Sequence, residues 1–466
     1  MYGIDLRLFV FASLFVLLYF VLLFVLALAF KNYGSECDGI TSLPTYKRFD
    51  RKARYTLKRS RGKKFMILSL NVDNFRFIND TCGIVSGNTV LHKLGEHFQS
   101  LCGKNELVCR YCADDFVFFL KDAEFRMELE NRVADFTDVK AVLQGFLPPK
   151  YNITFSASVY HIDNPALEIE AMIDKASLAR KMGRMGFKAH NVMEYTKKME
   201  EAHEWEREAQ LSMEQAFENM EFEVYYQPKF RFDDESVIGA EALIRWNNPR
   251  KGFLQPASFV PLFEGNGFIQ KIDKFVLDKV CAFLEDWSHI SKQRLTISFN
   301  LSRCHLYNPN LISELKDIAR RYDIGDNTIE VELTERIMID NEQRMMRVMR
   351  EIKDAGFSVS VDDFGAGYSS LNVLKDIPAD VIKLDKEFLS PQNENKKNPK
   401  ERIIISSVVD MAKRLNIMTV AEGVETKDQS EMLKDIGCDI AQGFYFAKPM
   451  HERYFKAFLD AERKAV

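Results

Sequence analysis

Several short apolar segments in the second half of this chain end in a side chain that offers an oxygen ligand. Glu241, Asn300 and Glu332 lie in three of these segments, and Asp362 and Asp363 lie together in a fourth. Carboxylate and amide oxygens that converge on one place repel each other unless a cation neutralises them. Each residue alone could equally cap a helix. Their recurrence predicts a site for Mg²⁺ or Mn²⁺, which favour oxygen donors.

The adjacent acidic pair indicates the reaction that such a site would support. Asp362 and Asp363 are followed by Gly365, Gly367 and two serines, so the backbone can turn sharply and hold both side chains near a pair of ions. Two ions about 4 Å apart activate water and stabilise the charge that builds on a phosphorus centre. A phosphodiester is therefore the predicted substrate.

Two basic residues lie in the same apolar segments. Lys383 stands in the strand-like sequence VIKLD, where an unpaired ammonium would be costly. We expect it to orient the attacking water or to stabilise developing negative charge. Arg245 stands in EALIR and could bind a phosphate, with a salt bridge at the rim of the site as the alternative.

Eight apolar segments in the second half predict the scaffold that positions these residues. In chain order they are FEVYYQPKF, SVIGAEALIRW, LTISFNLS, TIEVELTE, FSVSVDDFG, DVIKLDKEF, IMTVAEGVE and CDIAQGFYF. Predicted helices between them lie at 271–287, 310–322, 342–355, 401–415 and 427–436. A barrel of parallel strands collects residues at the strand ends around one mouth. The pattern therefore predicts a TIM-like (β/α)8 barrel over residues 221–466, with the polar segment 391–400 as a surface loop.

The preceding part of the chain predicts an α/β domain at residues 35–196. Its predicted elements are a strand at 64–75, a helix through 90–101, strands within 107–120, a strand at 151–160 and a helix that ends near 182. Residues 197–220 are dense in Glu and Lys and have only a partial apolar stripe. This composition predicts a linker helix between the two domains.

The N-terminal segment predicts a membrane anchor at residues 1–34. From Leu8 to Phe30 run 23 residues without a charge, which at about 1.5 Å each would cross a hydrocarbon layer of about 30 Å. The run ends without a small-residue cleavage site, which argues against a secretory signal. Eleven Lys or Arg between Lys31 and Lys64 predict that the rest of the chain lies in the cytoplasm. The same basic stretch could instead be a solvated helix face or bind lipid.

Charge and cysteine content exclude some classes of protein. A net charge of −4 gives no electrostatic reason to bind nucleic acid. Eight cysteines in a long chain predicted to be cytoplasmic do not indicate a disulfide framework. Cys109 and Cys112 form one C-x-x-C pair, but no second pair stands at zinc-ribbon spacing, so we expect buried thiols.

The second half of the chain resembles the EAL phosphodiesterases, bacterial enzymes that hydrolyse cyclic di-GMP to linear pGpG. The motifs that carry the resemblance, in order, are YQPK at Tyr226, EALIRW at Glu241, NLS at Asn300, ELTE at Glu332, DDFGAGYSSL at Asp362, KLD at Lys383, AEGVE at Glu422 and QGF at Gln442. Only QGF, where QGY is more frequent, departs from the pattern.

The resemblance assigns a role to each matching residue. It implies two Mg²⁺ or Mn²⁺ ions held by Glu241, Asn300, Glu332, Asp362, Asp363 and Glu422. It implies that Lys383 positions the attacking water, that Glu335 holds the loop after Asp363, and that Gln442 lies near metal and substrate. Gln227 and Arg245 would contact the substrate. The family also implies a homodimer formed by barrels.

The α/β domain resembles the GGDEF diguanylate cyclases, whose sheet is mostly antiparallel, but its pattern is altered. Asn71 stands where the family has a metal-binding aspartate, and Asn88 where it has a nucleotide-recognising aspartate. The signature segment 112–116 reads CADDF, so both glycines are replaced, while Asn79 and Asp114 are kept. The segment 103–106 lacks the Arg-x-x-Asp of the inhibitory site. Loss of a charged ligand disfavours cyclase activity but leaves GTP as a candidate ligand.

The sequence leaves three hypotheses for the function of the whole chain. The leading hypothesis is a single-pass cyclic di-GMP phosphodiesterase of the bacterial inner membrane, anchored by residues 8–30, with a degenerate GGDEF domain that regulates the barrel through residues 197–220. An inert spacer is the alternative for that domain. The competing classes for the whole chain are a non-catalytic cyclic di-GMP receptor and, disfavoured by Asn71 and Asn88, a cyclase.

Overall fold

The computed structural model describes residues 36–60, 62–148, 151–183, 192–365, 376–389 and 399–465, together with Tyr19. The chain divides into two compact units, Met1–Trp205 and Glu206–Val466. Among the described residues, the helices are all too short or too polar to span a membrane. The predicted span at 8–30 lies outside the described residues apart from Tyr19, so it stays a prediction.

A five-stranded sheet forms the centre of the first unit. Its strands are β1 (Phe65–Val72), β2 (Leu107–Cys112), β3 (Asp115–Lys121), β4 (Phe155–His161) and β5 (Met193–Glu194). They lie in the order β2-β3-β1-β4-β5, and all neighbours are antiparallel except β4 and β5. The predicted α/β domain with a mostly antiparallel sheet is confirmed.

Helices cover both faces of this sheet. They are α1 (Tyr46–Arg59), α2 (Phe75–Cys82), α3 (Ile84–Leu101), α4 (Arg126–Thr137) and α5 (Ile169–Gly183). Every residue of β1 is buried as a result. Alternate side chains enter two different cores, with Met66 and Leu68 on one side and Phe65 and Ile67 on the other.

The cysteines of this unit partly contradict the expectation of buried thiols. All eight cysteines of the chain are free, and Cys109 is buried in β2, but Cys112 is exposed. Cys112 ends β2 at the turn into β3, where Ala113 has a φ of 41°. A side chain at such a turn leaves the sheet and faces solvent.

The second unit is built on a closed barrel. Its strands are β6 (Phe222–Arg231), β7 (Val237–Asn248), β8 (Gly252–Leu254), β9 (Thr296–Asn300), β10 (Ile329–Thr334), β11 (Ser358–Phe364), β12 (Val381–Leu384), β13 (Met418–Ala421), β14 (Ile440–Ala441) and β15 (Met450–His451). Pairing of β6 with both β7 and β14 closes a ring of eight, and β8 and β15 extend its edges. The eight barrel strands coincide with the eight predicted apolar segments.

One strand of the barrel runs against the others. The strands from β7 to β14 are parallel around the ring, whereas β6 is antiparallel to both of its neighbours. The expectation of a wholly parallel barrel is therefore wrong for β6. Only the short segment 232–236 joins β6 to β7, and a connection this short can join antiparallel strands but cannot cross over to a parallel one.

Helices follow most strands of the barrel, as the sequence predicts. They are α7 (Val260–Asn266), α8 (Ile269–Ile290), α9 (Leu311–Ala319), α10 (Arg336–Asp354), α11 (Pro399–Arg414), α12 (Lys427–Asp435) and α13 (Glu452–Ala465). Short 3₁₀ turns lie at Pro256–Ser258, Arg303–Tyr307 and Lys386–Leu389. Most of the predicted loop at 391–400 lies outside the described residues, and its last two residues begin α11.

The helix predicted at 197–220 is present as α6 (Lys197–Glu218), and its last turns pack on the barrel. The ring of Phe217 contacts those of Phe222 and Phe275 at centroid distances of 6.4 and 5.5 Å. The ammonium of Lys271 lies 2.6 Å from Oε2 of Glu214. These contacts position the start of β6.

Candidate active site

A buried lysine lies at the centre of the barrel mouth and is surrounded by carboxylates. Lys383 stands in β12 and is 1% exposed. Its Nζ lies 2.6 Å from Glu422 Oε1, 2.7 Å from Glu332 Oε2, 3.2 Å from Asp362 Oδ1 and 3.5 Å from Glu241 Oε2. The structure thus brings together side chains from five strands or strand ends that the sequence placed at one mouth.

Strand register explains why these residues meet. Asn300 pairs with Glu332 across β9 and β10, and Thr334 pairs with Asp362 across β10 and β11. Glu241 does not end its strand, contrary to the expectation, because β7 continues past the barrel edge to pair with β8. It stands opposite Ser298 and still faces the mouth.

Amide side chains hold one side of the carboxylate cluster. The Nδ2 group of Asn300 donates a 2.9 Å hydrogen bond to Glu241 Oε1, and Nε2 of Gln442 donates one of 2.6 Å to Glu241 Oε2. Gln442 Nε2 also lies 3.1 Å from Gln227 Oε1. The side-chain oxygen of Gln442, Oε1, is buried and has no hydrogen-bond donor among the described residues, so it can accept a hydrogen bond from a ligand.

The acidic pair stands where the backbone turns sharply. Asp363 has a φ of 55°, and its N–H donates a 2.9 Å hydrogen bond to Oδ1 of Asp362. Ligand oxygens of Asp362, Asp363 and Glu422 all lie within 4.8 Å of one another. The N–H of Gly365 donates to Glu335 Oε2 at 2.6 Å. The next predicted turn residue, Gly367, lies outside the described residues.

The site carries more negative charge than its lysines balance. Burial, together with Asp362, raises the pKa of Glu422 to about 8 even though Lys383 opposes this shift. Burial and Asp362 likewise raise the pKa of Asp363 to about 6. Burial also raises the pKa of Glu241. Carboxylates pushed towards protonation in this way are matched to divalent cations, so the donors present fit the ions that the sequence predicts.

Lys229 is a site residue that the sequence analysis missed. It stands in β6, and its buried Nζ lies 2.7 Å from Ser298 Oγ, 2.9 Å from Glu330 Oε1 and 3.2 Å from Glu332 Oε1. Lys229 lies in the apolar run FEVYYQPKF, just as Lys383 lies in VIKLD. The reasoning that singled out Lys383 could therefore have found Lys229 as well. Burial opposes ionisation of Glu332, but Lys383 and Lys229 lower its pKa to about 2.

Asp385 is a second residue that was missed. It follows β12 directly, is 8% exposed, and its side chain hydrogen-bonds that of Asp363. Its position in KLD, two residues after the central lysine, could have indicated that it faces the site, because alternate residues of a strand share a face. Asp385 therefore joins the set of oxygen donors around the acidic pair.

Arg245 lies in the barrel wall rather than in a rim salt bridge. Its side chain is buried, Nη1 donates to the carbonyl of Ile244 at 2.8 Å, and Cζ lies 5.8 Å from the ring centroid of Tyr225. No carboxylate in the described part of the chain lies within ion-pair distance of it. Burial lowers the pKa of Arg245, which is the direction expected for a cation without a close counter-ion.

Two family models match this chain, one for each of its two domains. Residues 210–449 match the family model of the EAL domain, and residues 35–183 match that of diguanylate cyclase, GGDEF domain. The cyclic di-GMP phosphodiesterase NbdA of Pseudomonas aeruginosa is 28% identical over 408 residues, which are 87% of this chain and 51% of NbdA. The bifunctional diguanylate cyclase/cyclic di-GMP phosphodiesterase MucR of the same organism is 28% identical over 422 residues, which are 89% of this chain and 60% of MucR.

A solved structure extends the comparison to the barrel. The PaMucR phosphodiesterase in its c-di-GMP complex is 32% identical, covers 53% of this chain and 99% of that chain, and superposes with a TM-score of 0.51. The chain spans only 51% and 60% of the two curated relatives. The matches to the family models and to this structure establish that the chain belongs to the EAL domain family and carries a GGDEF domain before its EAL domain.

Proposed function

We propose that this chain is a membrane-anchored phosphodiesterase that hydrolyses cyclic di-GMP to linear pGpG. The observation that carries the proposal is the cluster of four carboxylates around the buried ammonium of Lys383. A non-catalytic receptor has no need for this excess of buried negative charge, whereas a metal-dependent hydrolase does. MucR and NbdA carry names that describe the same activity.

Two divalent cations, Mg²⁺ or Mn²⁺, complete the proposed site. The residues that would hold them are Glu241, Asn300, Glu332, Asp362, Asp363, Asp385 and Glu422. When bound, such ions activate water and neutralise charge that builds on phosphorus. The raised pKa values of Glu422 and Asp363 support this assignment, because a cation would stabilise their ionised forms.

The chain's own side chains have separate tasks in this proposal. Lys383 holds Glu332 and Glu422 in place through its ion pairs and orients the attacking water. Arg245, buried without a carboxylate partner in the described part of the chain, receives a substrate phosphate. Gln442 presents its unpaired oxygen to the substrate or to a metal, and Gln227 supports Gln442.

The direct test is turnover of cyclic di-GMP by the full chain in detergent. With Mg²⁺ or Mn²⁺ present, we expect chromatography to show pGpG as the first product and EDTA to stop its formation. Glu241→Gln and Lys383→Met should each lower kcat by about 10²- to 10⁴-fold. Lys292→Met changes an exposed lysine of the same unit and serves as the control.

The same experiment distinguishes the receptor hypothesis. Tight binding of cyclic di-GMP without product, at saturating Mg²⁺ and Mn²⁺, would favour a receptor that signals through the membrane helix. Release of GMP instead of pGpG as the first product would leave the phosphodiesterase activity but contradict the proposed product.

For the first domain we propose a regulatory role without cyclase activity. Asn71 is an amide at the position of a family metal ligand, so it offers no charge to a cation, and it donates a 2.8 Å hydrogen bond to Asp115. GTP is a candidate ligand that would act on the barrel through the helix Lys197–Glu218. We expect no cyclic di-GMP from GTP, and a change in phosphodiesterase rate when GTP is added. An unchanged rate would favour the inert spacer.

Membrane attachment and dimerisation complete the proposal. The uncharged run of 23 residues at 8–30 supports a single span, with both domains on the cytoplasmic side of the inner membrane. Deletion of residues 1–34 should release the protein from the membrane fraction. Sedimentation of the detergent-solubilised chain should give the mass of two chains, whereas the mass of one would contradict the homodimer.

A further inference from the structure

The first domain contains an ion pair at the place where its family would bind a metal. Asp115 follows the β2–β3 turn and stands opposite Asn71 on β1. Its Oδ1 accepts a 2.8 Å hydrogen bond from Asn71 Nδ2 and lies 2.9 Å from Nη1 of Arg180. One carboxylate oxygen therefore already has an amide and a guanidinium as its partners.

The guanidinium is held in this position by the packing of its helix. Arg180 lies in the last turn of α5, beside the buried Ala176 and Ala179. Ser158 of β4 donates a 2.6 Å hydrogen bond to the carbonyl of Ala176, which ties the helix to the sheet. The side chain of Arg180 is only 13% exposed and that of Asp115 only 22%. An ion pair between side chains with such low exposure is screened less than one at the surface.

The residues around Asp115 do not fit a divalent cation. Mg²⁺ and Mn²⁺ need several oxygen donors, whereas the two side chains in contact with Asp115 Oδ1 offer an amide N–H and a guanidinium. In the described part of the first unit, no three acidic, His or Cys side chains bring ligand atoms within 4.8 Å of one another. The carboxylate of Asp73 accepts a 2.6 Å hydrogen bond from Ser156 Oγ.

We propose that Arg180 takes the place of the metal ion in the first domain. Its guanidinium neutralises Asp115, so the domain holds no divalent cation at this carboxylate. Arg180 would exclude the ion even if a carboxylate stood at position 71. Any nucleotide that this domain binds is then bound without a metal at Asp115.

Counting bound Mn²⁺ in the full chain tests this assignment. Electron paramagnetic resonance would measure the equivalents of Mn²⁺ bound by the wild type, Asn71→Asp, the double variant Asn71→Asp/Arg180→Met, and Asp115→Asn. Ions held by the barrel contribute equally to all four proteins, so only differences between them report on the first domain. Circular dichroism checks that each variant folds.

The two explanations predict different counts. If Arg180 excludes the ion, Asn71→Asp alone binds no more Mn²⁺ than the wild type, while the double variant gains one equivalent. Asp115→Asn then loses none. A gain in Asn71→Asp alone, no gain in the folded double variant, or a loss in Asp115→Asn would overturn the proposal. If the double variant does not fold, a gain in Asn71→Asp or a loss in Asp115→Asn still overturns the proposal.

Discussion

The backbone N–H of Gly365 donates a 2.6 Å hydrogen bond to Oε2 of Glu335, which joins the segment after β11 to the residue after β10. The N–H of Glu335 in turn donates to the carbonyl of Asp362 at 2.9 Å. These two bonds fix the backbone on either side of Asp363. The positions of both acidic side chains therefore depend on the backbone and the buried carboxylate of Glu335, which directly follows the neighbouring strand.

Replacement of Glu335 should affect catalysis more than substrate binding. In Glu335→Ala the N–H of Gly365 loses its acceptor, while the backbone bond from residue 335 to Asp362 remains, so the acidic pair keeps its support on one side only. Supporting residues of this kind typically contribute 10- to 100-fold, so we expect kcat to fall by about that factor with little change in KM. Steady-state kinetics at saturating Mg²⁺ measure both. Glu351→Ala, on the exposed side of α10, is the matched control. A wild-type kcat in Glu335→Ala would contradict the role.

A side chain at Gly365 should be strongly destabilising. Gly365 has a φ of 92°, and a Cβ there would lie 2.2 Å from Cζ of Phe388. The left-handed backbone costs an L-residue about 1–2 kcal/mol, and overpacking adds about 1–3 kcal/mol. We expect Gly365→Ala to lower the free energy of unfolding by at least about 2 kcal/mol. Gly265→Ala, where the added Cβ meets open space, should stay within about 0.5 kcal/mol of the wild type. Equal urea midpoints for the two variants would contradict this prediction.

Loss of Lys229 should destabilise the barrel from inside. Its ammonium lies between the carboxylates of Glu330 and Glu332, all three of them buried. Removal of one partner from a buried ion pair costs about 3–5 kcal/mol, so Lys229→Met should lower the free energy of unfolding by that amount. Urea unfolding followed by tryptophan fluorescence measures it.

A second substitution separates charge from packing at Lys229. Glu330→Leu removes one of the two unbalanced carboxylates, so the double variant Lys229→Met/Glu330→Leu should be less destabilised than the sum of the single variants. Simple additivity would mean that the ion pair makes no coupled contribution.

The first domain should lose stability in mild acid through Glu106. Burial disfavours its ionised form, but hydrogen bonds from the N–H groups of Gly103 and Lys121 and from Arg132 outweigh burial and lower its pKa. A lowered folded-state pKa stabilises the domain above the unfolded pKa of about 4.3, and this contribution is lost as the pH falls further.

Hydrogen exchange of β1 peptides in urea, between pH 3.5 and 6, measures this dependence. The wild type should unfold at progressively less urea as the pH falls below about 4.3. Glu106→Gln should be less stable at pH 6 and should lose that part of the pH dependence. An unchanged slope in Glu106→Gln would assign the dependence to other carboxylates.

Apolar periodicity predicted the strands of the barrel but not the direction of all of them. Each of the eight runs formed a strand because the barrel interior and the surrounding helices bury both of its faces. The reversal of β6 depends on the shortness of segment 232–236. The sequence shows this short length, but the segment has no helical pattern from which a crossover could be predicted. Loop length was thus the better indicator of direction at this position.

Residue type predicted the members of the site, whereas register determines their partners. Lys383 was recognised because an ammonium in an apolar strand needs a counter-charge, and the structure supplies four carboxylates. Lys229 satisfies the same criterion but lies in β6, whose side chains reach the opposite wall of the barrel. The contact of Arg180 with Asp115 joins a helix to a hairpin that is distant in the sequence, so no local sequence pattern predicts it.

The reversal of β6 also determines where the barrel receives the chain that precedes it. Because β6 is antiparallel to β7, Phe222 pairs with Trp246 beyond Glu241, on the same side as the substrate opening. The helix Lys197–Glu218 therefore meets the barrel at its catalytic rim and not at its closed base. Because Phe217 packs on Phe222, a movement of the end of this helix would act first on the side of the barrel that holds the carboxylate cluster.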